Sequence, residues 1–225
     1  MKTLYLSDLD GTLLTPEAAL SPFTAETLRR LLGAGMAFSY ATARSFSTAK
    51  KVTAALKGAR LPVIVYNGAA IVEAESGAVL DAVYFTPAET AFIRGVLEAA
   101  GLRPHVRLSA RIDHRAQRVA YVEAGGSRGL AQYLETRRGD ERLHAVEPKA
   151  LYGGRAFYFT VIADSRAACE APYAALCADG RFIVHLQRDV YSDAYYFEIM
   201  PKGASKAQAA KRLMALSGCT RLVCF

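Results

Sequence analysis

Short apolar segments alternate with amphipathic ones through the first part of the chain, up to about residue 85. Near-continuous apolar runs, typical of buried strands, occur in TLYLSD, MAFSYAT and PVIVY. The segments between them, SPFTAETLRRLLGAG and SFSTAKKVTAALKG, have the apolar spacing of amphipathic helices. Because strands that are joined through helices run parallel, this βαβαβ order predicts an α/β fold with a Rossmann-like parallel sheet and helices on both faces.

A second pattern begins after this unit. AAIVEAESG and AVLDAVYF predict strands joined by a turn at Ser76-Gly77, and Pro87 marks a boundary. Helices are then predicted at PAETAFIRGVLEAAG, SRGLAQYLETRR and SRAACEAPYAALCADG, and strands at VRLSA, RVAYVEA, AFYFTVIA and RFIVHLQ. The first pattern resumes in YYFEIMPKG, ASKAQAAKRLMALSG and RLVCF. We therefore predict a discontinuous core domain of residues 1–85 and 191–225 and an inserted α+β domain of residues 86–190.

Composition narrows the class of protein. A chain of 225 residues with 52% hydrophobic residues can bury a sizeable core. Its first residues lack the features of a signal peptide, and its apolar runs are too short to cross a bilayer. The cysteines, Cys169, Cys177, Cys219 and Cys224, form neither a CxxC pair nor a small disulfide framework. We expect a cytoplasmic protein with reduced thiols, a monomer or homodimer, without a membrane partner.

The net charge of +7 changes this picture little. The basic residues are spread along the chain instead of gathering in a long run, so the charge does not specifically indicate nucleic acid. An anionic small molecule accounts for the charge equally well. We therefore expect no nucleic-acid partner.

Two aspartates, Asp8 and Asp10, end the first predicted strand in LYLSDLDGTLL. Alternate residues of a strand point the same way, so the carboxylates lie close together and repel each other. A cation or a proton between them relieves this repulsion, and Mg²⁺ is the metal that we expect here. An Asp-Gly turn after the strand is the alternative, but it accounts for Asp10 and Gly11 and leaves Asp8 unexplained.

Other polar residues are predicted to reach the same edge of the sheet. Thr42 and Asn67, like Asp8, fall at the carboxyl ends of predicted strands, where ligands bind in such sheets. Thr42 alone also fits a β-branched residue that closes a strand, and Asn67-Gly68 is a strong hairpin signal. Lys206 falls in the first turn of a predicted helix, where a cation meets the positive end of the helix dipole and needs an anion nearby. A solvated surface lysine is the alternative.

These motifs, in this order, resemble those of the haloacid dehalogenase (HAD) superfamily. The resemblance covers the whole chain, through DLDGTLL, a strand ending in Thr42, a strand ending in NG and PKGASK, and it is closest to the Cof-type subfamily IIB with an inserted C2-type α/β cap. It implies a Mg²⁺-dependent phosphatase for small phosphorylated metabolites, sugar phosphates foremost. Asp8 would attack phosphorus and form an aspartyl-phosphate that water hydrolyses, and Asp10 would act as acid and base. Lys206 would pair with the nucleophile and the transferring phosphate.

The resemblance also implies ligands for the metal and for the phosphate. Magnesium would be held by an oxygen of Asp8 and the backbone carbonyl of Asp10. Thr42 would hydrogen-bond a phosphoryl oxygen, and Arg44 would contact the substrate. Ala43 stands where the family usually has glycine, and its methyl group limits the approach of the backbone. Beside the phosphate would lie the pair Asn67 and Gly68.

The predicted cap carries a basic stretch made of Arg103, Arg107, Arg111, Arg115 and Arg118 with His105 and His114. These side chains contact an anionic leaving group or form a solvated face, and both interpretations stay open. The histidines do not have metal-ligand spacing. Caps of this kind close over the site and select the substrate, so we expect specificity to reside here.

One motif of the family is absent from the sequence. After a strand such as RLVCF the family has GDxxND, whose acids complete the magnesium shell, and the sequence ends at Phe225 without it. Two explanations stay open: the sequence is part of a longer protein, or the protein is a degenerate enzyme. Two further functions stay open as well, namely a non-catalytic phospholigand-binding protein and a phosphomutase that passes the phosphoryl group to a sugar.

Overall fold

The computed structural model describes residues 2–56, 61–102, 106–110, 117–122, 127–189 and 193–225. The chain divides into two compact units. The first unit comprises Met1–Ala82 and Gly203–Phe225, and the second comprises Val83–Lys202. In these described ranges, no helix is both long enough and apolar enough to cross a membrane.

The strands and helices follow in chain order. The strands are β1 (Thr3–Asp8), β2 (Ala37–Ala41), β3 (Val63–Val65), β4 (Ala70–Val72), β5 (Val79–Ala82), β6 (Val106–Ala110), β7 (Gln117–Tyr121), β8 (Leu143–Ala145), β9 (Tyr158–Ala163), β10 (Phe182–Arg188), β11 (Tyr195–Pro201) and β12 (Arg221–Cys224). The helices are α1 (Pro22–Gly33), α2 (Phe46–Val52), α3 (Pro87–Ala99), α4 (Arg128–Glu135), α5 (Ala167–Asp179) and α6 (Lys206–Leu216). Short helical turns cover Leu9–Leu13, Tyr66–Gly68 and Pro148–Tyr152.

The first unit contains a mixed sheet with the strand order β12-β1-β2-β3-β4-β5. The strands from β12 to β3 pair in parallel, and β4 and β5 add an antiparallel hairpin at one edge. Leu4 and Leu6 of β1 pack in one cluster with Leu213 of α6, whereas Phe38 of β2 packs in another with Leu28 of α1. The sheet therefore has helices on both faces, which confirms the predicted α/β fold.

The second unit contains a mostly antiparallel sheet with the strand order β10-β11-β9-β6-β7-β8. Its main core lies on one face, where Phe159 and Phe197 pack with Ile93 of α3 and Leu176 of α5. This arrangement matches the predicted mixture of helices and strands. Strand β8 was not predicted from the sequence, because three residues, of which two are exposed, carry too short an apolar pattern.

Strand β11 does not belong to the domain that the sequence predicted for it. The prediction placed residues 191–225, which include β11, in the core domain. Its residues pair antiparallel with both β10 and β9, so β11 belongs to the second unit. Phe197 and Ile199 are fully buried in the second unit's core. Periodicity predicts that a segment is a strand, but not which of two sheets it joins. Phe85 packs in the same core, so the second unit starts earlier than residue 86.

The turn between β3 and β4 positions the start of α6. Asn67-Gly68 connects antiparallel strands, as the hairpin signal predicts. Gly68 has φ +96°, and a Cβ added to it would lie 2.3 Å from the carbonyl carbon of Ser205 and 2.6 Å from the backbone nitrogen of Lys206. Glycine is therefore the residue that allows this turn to touch the first residues of α6.

We predict that Gly68→Ala destabilises the first unit by at least about 1 kcal/mol, because the positive φ and the backbone of Ser205 both oppose a methyl group. Gly33→Ala is the matched control, since Gly33 lies in α1 and a Cβ there meets nothing within 4 Å. The control should leave stability unchanged or slightly raised. Urea unfolding of both variants measures this, and equal midpoints for the two would contradict the close approach.

Candidate active site

Asp8 lies at the end of β1 and has both carboxylate oxygens engaged. Its Oδ1 accepts the backbone N–H of Leu9 at 2.7 Å, and its Oδ2 lies 2.6 Å from the Nζ of Lys206. The side chains of Asp8 and Lys206 are 36% and 35% exposed, so the pair is accessible from solvent. The carboxylate is thus oriented by the chain itself and can still be reached by a ligand.

Lys206 is the first residue of α6. Ser205 precedes it as the N-cap, and its Oγ accepts the backbone N–H of Gln208 at 3.2 Å. A cation at this end of a helix faces the positive end of the helix dipole and is stabilised only by a nearby anion. Asp8 is that anion. Lys206 is therefore not the unpaired surface lysine of the alternative interpretation.

Asp10 lies in the turn that follows β1 and forms a two-point ion pair with Arg44. The Nη2 of Arg44 lies 2.6 Å from Oδ1 of Asp10, and Nε lies 2.9 Å from Oδ2. The hydrogen bonds from Arg44 hold the pKa of Asp10 below its ordinary value against an opposing effect of burial, and the charges of Arg44 and Lys206 lower the pKa further. Asp10 is therefore a carboxylate in this arrangement.

These pairings change one inference from the sequence. The repulsion between Asp8 and Asp10 predicted a cation or a proton between them. In the structure, Lys206 and Arg44 supply one positive charge to each carboxylate. The chain itself therefore supplies a cation for each of the two carboxylates.

Thr42 and Ala43 lead from β2 into Arg44. Thr42 is fully buried, and its Oγ1 accepts the backbone N–H of Arg44 at 3.1 Å, which closes a tight turn. Ala43, between them, is exposed. Ser45 caps α2, because its Oγ accepts the backbone N–H of Thr48.

The turn that contains Asn67 is attached to this loop through the backbone. The N–H of Asn67 donates to the carbonyl of Thr42, and the N–H of Tyr66 donates to the carbonyl of Arg44, each at 3.0 Å. Asn67 and Gly68 are thereby placed beside the residues that follow β2. The structure thus pairs Asp8 with Lys206 and Asp10 with Arg44. Thr42 is linked to Arg44 through its Oγ1, and Asn67 is joined to Thr42 by a backbone hydrogen bond.

The donor atoms suit a magnesium ion that is shared with a ligand. Asp8 has a carboxylate and Asp10 a backbone carbonyl that could serve as oxygen ligands, and magnesium commonly binds to one or two carboxylates together with phosphate and water. Among the residues with described side chains, no group of three or more His, Cys, Asp or Glu is arranged to hold a metal. The residues present fit magnesium bound together with a phosphate better than magnesium in an all-protein cage.

Sequence reasoning missed Arg212 and Asp81. Arg212 of α6 donates to Asp81 of β5 and to the carbonyls of Gly68 and Gly203. Arg212 lies six residues after Lys206 on the same helix. The sequence around Arg212 does not indicate these hydrogen bonds, because their acceptors come from distant parts of the chain.

Most of the predicted basic stretch of the cap lies outside the described side chains. Of its members, Arg118 is described, and it is exposed on β7. The backbone of Arg107 belongs to β6. The others lie outside the described residues: Arg103, His105, Arg111, His114 and Arg115.

Curated relatives share part of the sequence. A Buchnera aphidicola protein with the name "Putative phosphatase" is 40% identical over 73 residues, which is 32% of this chain and 26% of that protein. A Haemophilus influenzae protein of the same name is 38% identical over 66 residues, 29% of this chain and 24% of that protein. The matched segments thus span about a quarter of the length of these relatives.

Solved structures share the fold along the whole chain. A Thermotoga maritima protein has a TM-score of 0.70 at 19% identity, covering 100% of this chain and 79% of that one. A haloacid dehalogenase-like hydrolase of B. subtilis has a TM-score of 0.70 at 19% identity, covering 100% and 82%. A Plasmodium vivax protein described as HAD/COF-like has a TM-score of 0.70 at 13% identity, covering 99% and 77%. At these identities the similarity shows the fold alone.

A match between the sequence and a family model shows the family of this chain. The model of the haloacid dehalogenase-like hydrolases matches residues 5–221, which include every residue of the site described above. The chain belongs to the family of haloacid dehalogenase-like hydrolases, as its motifs predicted.

Proposed function

We propose that this chain is a magnesium-dependent phosphatase that hydrolyses small phosphorylated metabolites, sugar phosphates foremost, through an aspartyl-phosphate on Asp8. The observation that carries the proposal is the oriented, accessible carboxylate of Asp8, 2.6 Å from Lys206. Arg44 and Asp10 adjoin it as a second pair of opposite charges. The names of the two curated relatives support a phosphatase.

The first chemical step uses Asp8 and Lys206. A carboxylate oxygen of Asp8 attacks phosphorus, and the bond from phosphorus to the leaving oxygen breaks. Lys206 keeps the carboxylate oriented, and its ammonium group stabilises the negative charge of the transferring phosphoryl group. Thr42 accepts the backbone N–H of Arg44 through a lone pair of its Oγ1. Its hydroxyl hydrogen is not used in that bond, and we assign it to a phosphoryl oxygen of the substrate.

The proton transfers use Asp10. The leaving oxygen takes a proton from Asp10 in the first step, and Asp10 accepts a proton from the water that hydrolyses the aspartyl-phosphate in the second. Arg44 opposes protonation of Asp10 in the arrangement described above, since its hydrogen bonds stabilise the carboxylate. A bound phosphate attracts the same guanidinium, which weakens its hold on Asp10 and lets the pKa of Asp10 rise.

The Asp8 carboxylate and the Asp10 backbone carbonyl would hold magnesium, which would act as a Lewis acid whose positive charge neutralises the phosphate. We further propose that residues 83–202 form the cap that selects the substrate, and that Met1–Ala82 with Gly203–Phe225 forms the catalytic core. The cytoplasm, where phosphorylated metabolites are abundant, is the proposed location.

A second function has one observation in its favour. Both carboxylates are already paired with cations of the chain, an arrangement that also suits a protein that binds a phosphorylated ligand without turnover. Arg44 and Lys206 would then recognise the ligand phosphate as the two cations of a binding site.

We predict that Asp8→Asn lowers magnesium-dependent phosphate release by at least about a thousandfold, because an amide cannot form the aspartyl-phosphate. The assay follows phosphate release from p-nitrophenyl phosphate and a panel of sugar phosphates, with magnesium and with EDTA. Asp193→Asn is the matched control, since Asp193 is exposed and paired with Arg188, and it lies just before β11. Undiminished turnover by Asp8→Asn would refute the phosphatase mechanism. Tight phosphate-ligand binding without turnover by the unaltered chain would favour the second function.

We predict that Arg44→Gln raises the pKa of Asp10, because the hydrogen bonds and charge that stabilise its carboxylate are lost. The lowered pKa of Asp10 means that the Arg44 contact stabilises the fold at neutral pH and loses this effect as the pH falls through that pKa. Carbon-13 NMR titration of the aspartate carboxyls measures the shift. Arg29→Gln, which removes the exposed pair with Glu26 in α1, should leave the Asp10 titration unchanged. An identical Asp10 titration in Arg44→Gln would show that the pair does not form in solution.

A further inference from the structure

Arg212 joins two loops of the candidate active site to a third element. Its Nη1 donates to the carbonyl of Gly203 at 3.1 Å, and its Nη2 donates to the carbonyl of Gly68 at 3.2 Å. Its Nε donates to Oδ2 of Asp81 at 2.6 Å. One planar guanidinium thus uses three nitrogens on three separate parts of the first unit.

Each bridged carbonyl belongs to a segment that carries a site residue. Gly203 begins the short segment that leads into α6, three residues before Lys206. Gly68 ends the turn that carries Asn67 and touches the backbone of Ser205 and Lys206. The guanidinium therefore holds both sides of the contact between the turn and the start of α6.

The turn that Arg212 holds is strained. Tyr66 and Asn67 have φ values of 51° and 55°, which non-glycine residues seldom adopt. Such conformations persist where surrounding contacts fix them. The backbone hydrogen bonds to Thr42 and Arg44 fix the turn on one side, and Arg212 fixes it on the other.

Asp81 completes the arrangement. The side chains of Arg212 and Asp81 are 28% and 32% exposed, so both charges are partly withdrawn from water and each is stabilised by the other. The carboxylate accepts from Nε, which leaves the two Nη groups directed at the carbonyls. Asp81 thereby orients the guanidinium.

We propose that Arg212, oriented by Asp81, is a positioning residue that fixes the start of α6 and so places the Lys206 ammonium on Asp8. Lys206 has a long and flexible side chain, so the position of its Nζ depends on how firmly its backbone is held. The catalytic consequence rests on the proposed phosphatase function. The structural consequence, a Lys206–Asp8 contact that depends on Arg212, does not.

Competitive acetylation tests the structural consequence without requiring activity. Trace acetic anhydride modifies the lysines of the folded chain, and peptide mass spectrometry gives the rate at each one. The exposed Lys51 is the reference, and Lys50, whose Nζ donates to the carbonyl of Glu75 at 2.6 Å, reports general loosening of the first unit. In the unaltered chain, Lys206 should react more slowly than Lys51, because Asp8 engages its Nζ.

Arg212→Met should raise the reactivity of Lys206 toward that of Lys51 and leave Lys50 unchanged. Arg212→Lys should give an intermediate value, since one ammonium group cannot replace the guanidinium fork. Arg29→Met removes an exposed arginine of the same unit and should change neither lysine. Unchanged Lys206 reactivity in Arg212→Met, or equal rises at Lys206 and Lys50, would overturn the positioning role. If Arg212→Met does not fold, the same comparison in Arg212→Lys decides the matter.

Kinetics test the catalytic consequence. If the unaltered chain is a phosphatase, Arg212→Met should lower kcat by roughly tenfold to a hundredfold, as expected for a displaced catalytic group. Arg212→Lys should restore part of kcat. A labelling change without any turnover by the unaltered chain would support the positioning role and refute the phosphatase. Normal kcat together with altered labelling would refute the catalytic consequence alone.

Discussion

The arrangement of the site depends on the contact between Lys206 and Asp8. These residues are 198 positions apart in the sequence, and the whole second unit lies between them in the chain. An ammonium group at the start of a helix and a carboxylate at the end of a largely buried strand are each unfavourable alone. Their pairing stabilises both, and it joins the two segments of the first unit at the point where the proposed chemistry takes place.

Much of the fold could be predicted because local periodicity determines it. The apolar runs of β1, β2 and β3 and the amphipathic spacing of α1 and α6 appear in the structure where the sequence indicates them. Strand β11 could not be assigned to its sheet in this way. Its buried residues fit either core, and the choice is made by hydrogen bonds to β9 and β10, which periodicity does not encode.

The site, like the fold, has features that could be predicted from the sequence and features that could not. Positions such as Asp8 and Thr42 could be predicted, because ligands in parallel sheets bind at the carboxyl ends of strands and the motifs mark those ends. The partners of the charged groups could not. Arg44 reaches Asp10 across loops whose meeting point depends on the packed fold, and the bridging role of Arg212 depends on carbonyls in distant turns.

The two ion pairs of the site differ in what a phosphate would do to them. The Asp10 side chain is 52% exposed and that of Arg44 is 23% exposed, so water screens the carboxylate side of this pair more than the guanidinium side. The Lys206–Asp8 pair has a different surrounding, because the start of α6 is held by Gly68 and by the guanidinium of Arg212. The site thus combines a cation paired with a half-exposed carboxylate and a cation at a helix start whose backbone is held by neighbouring segments. Groups fixed in advance stabilise a transition state without reorganisation, which is why the geometry favours Lys206 over Arg44 as the group that orients Asp8, the proposed nucleophile.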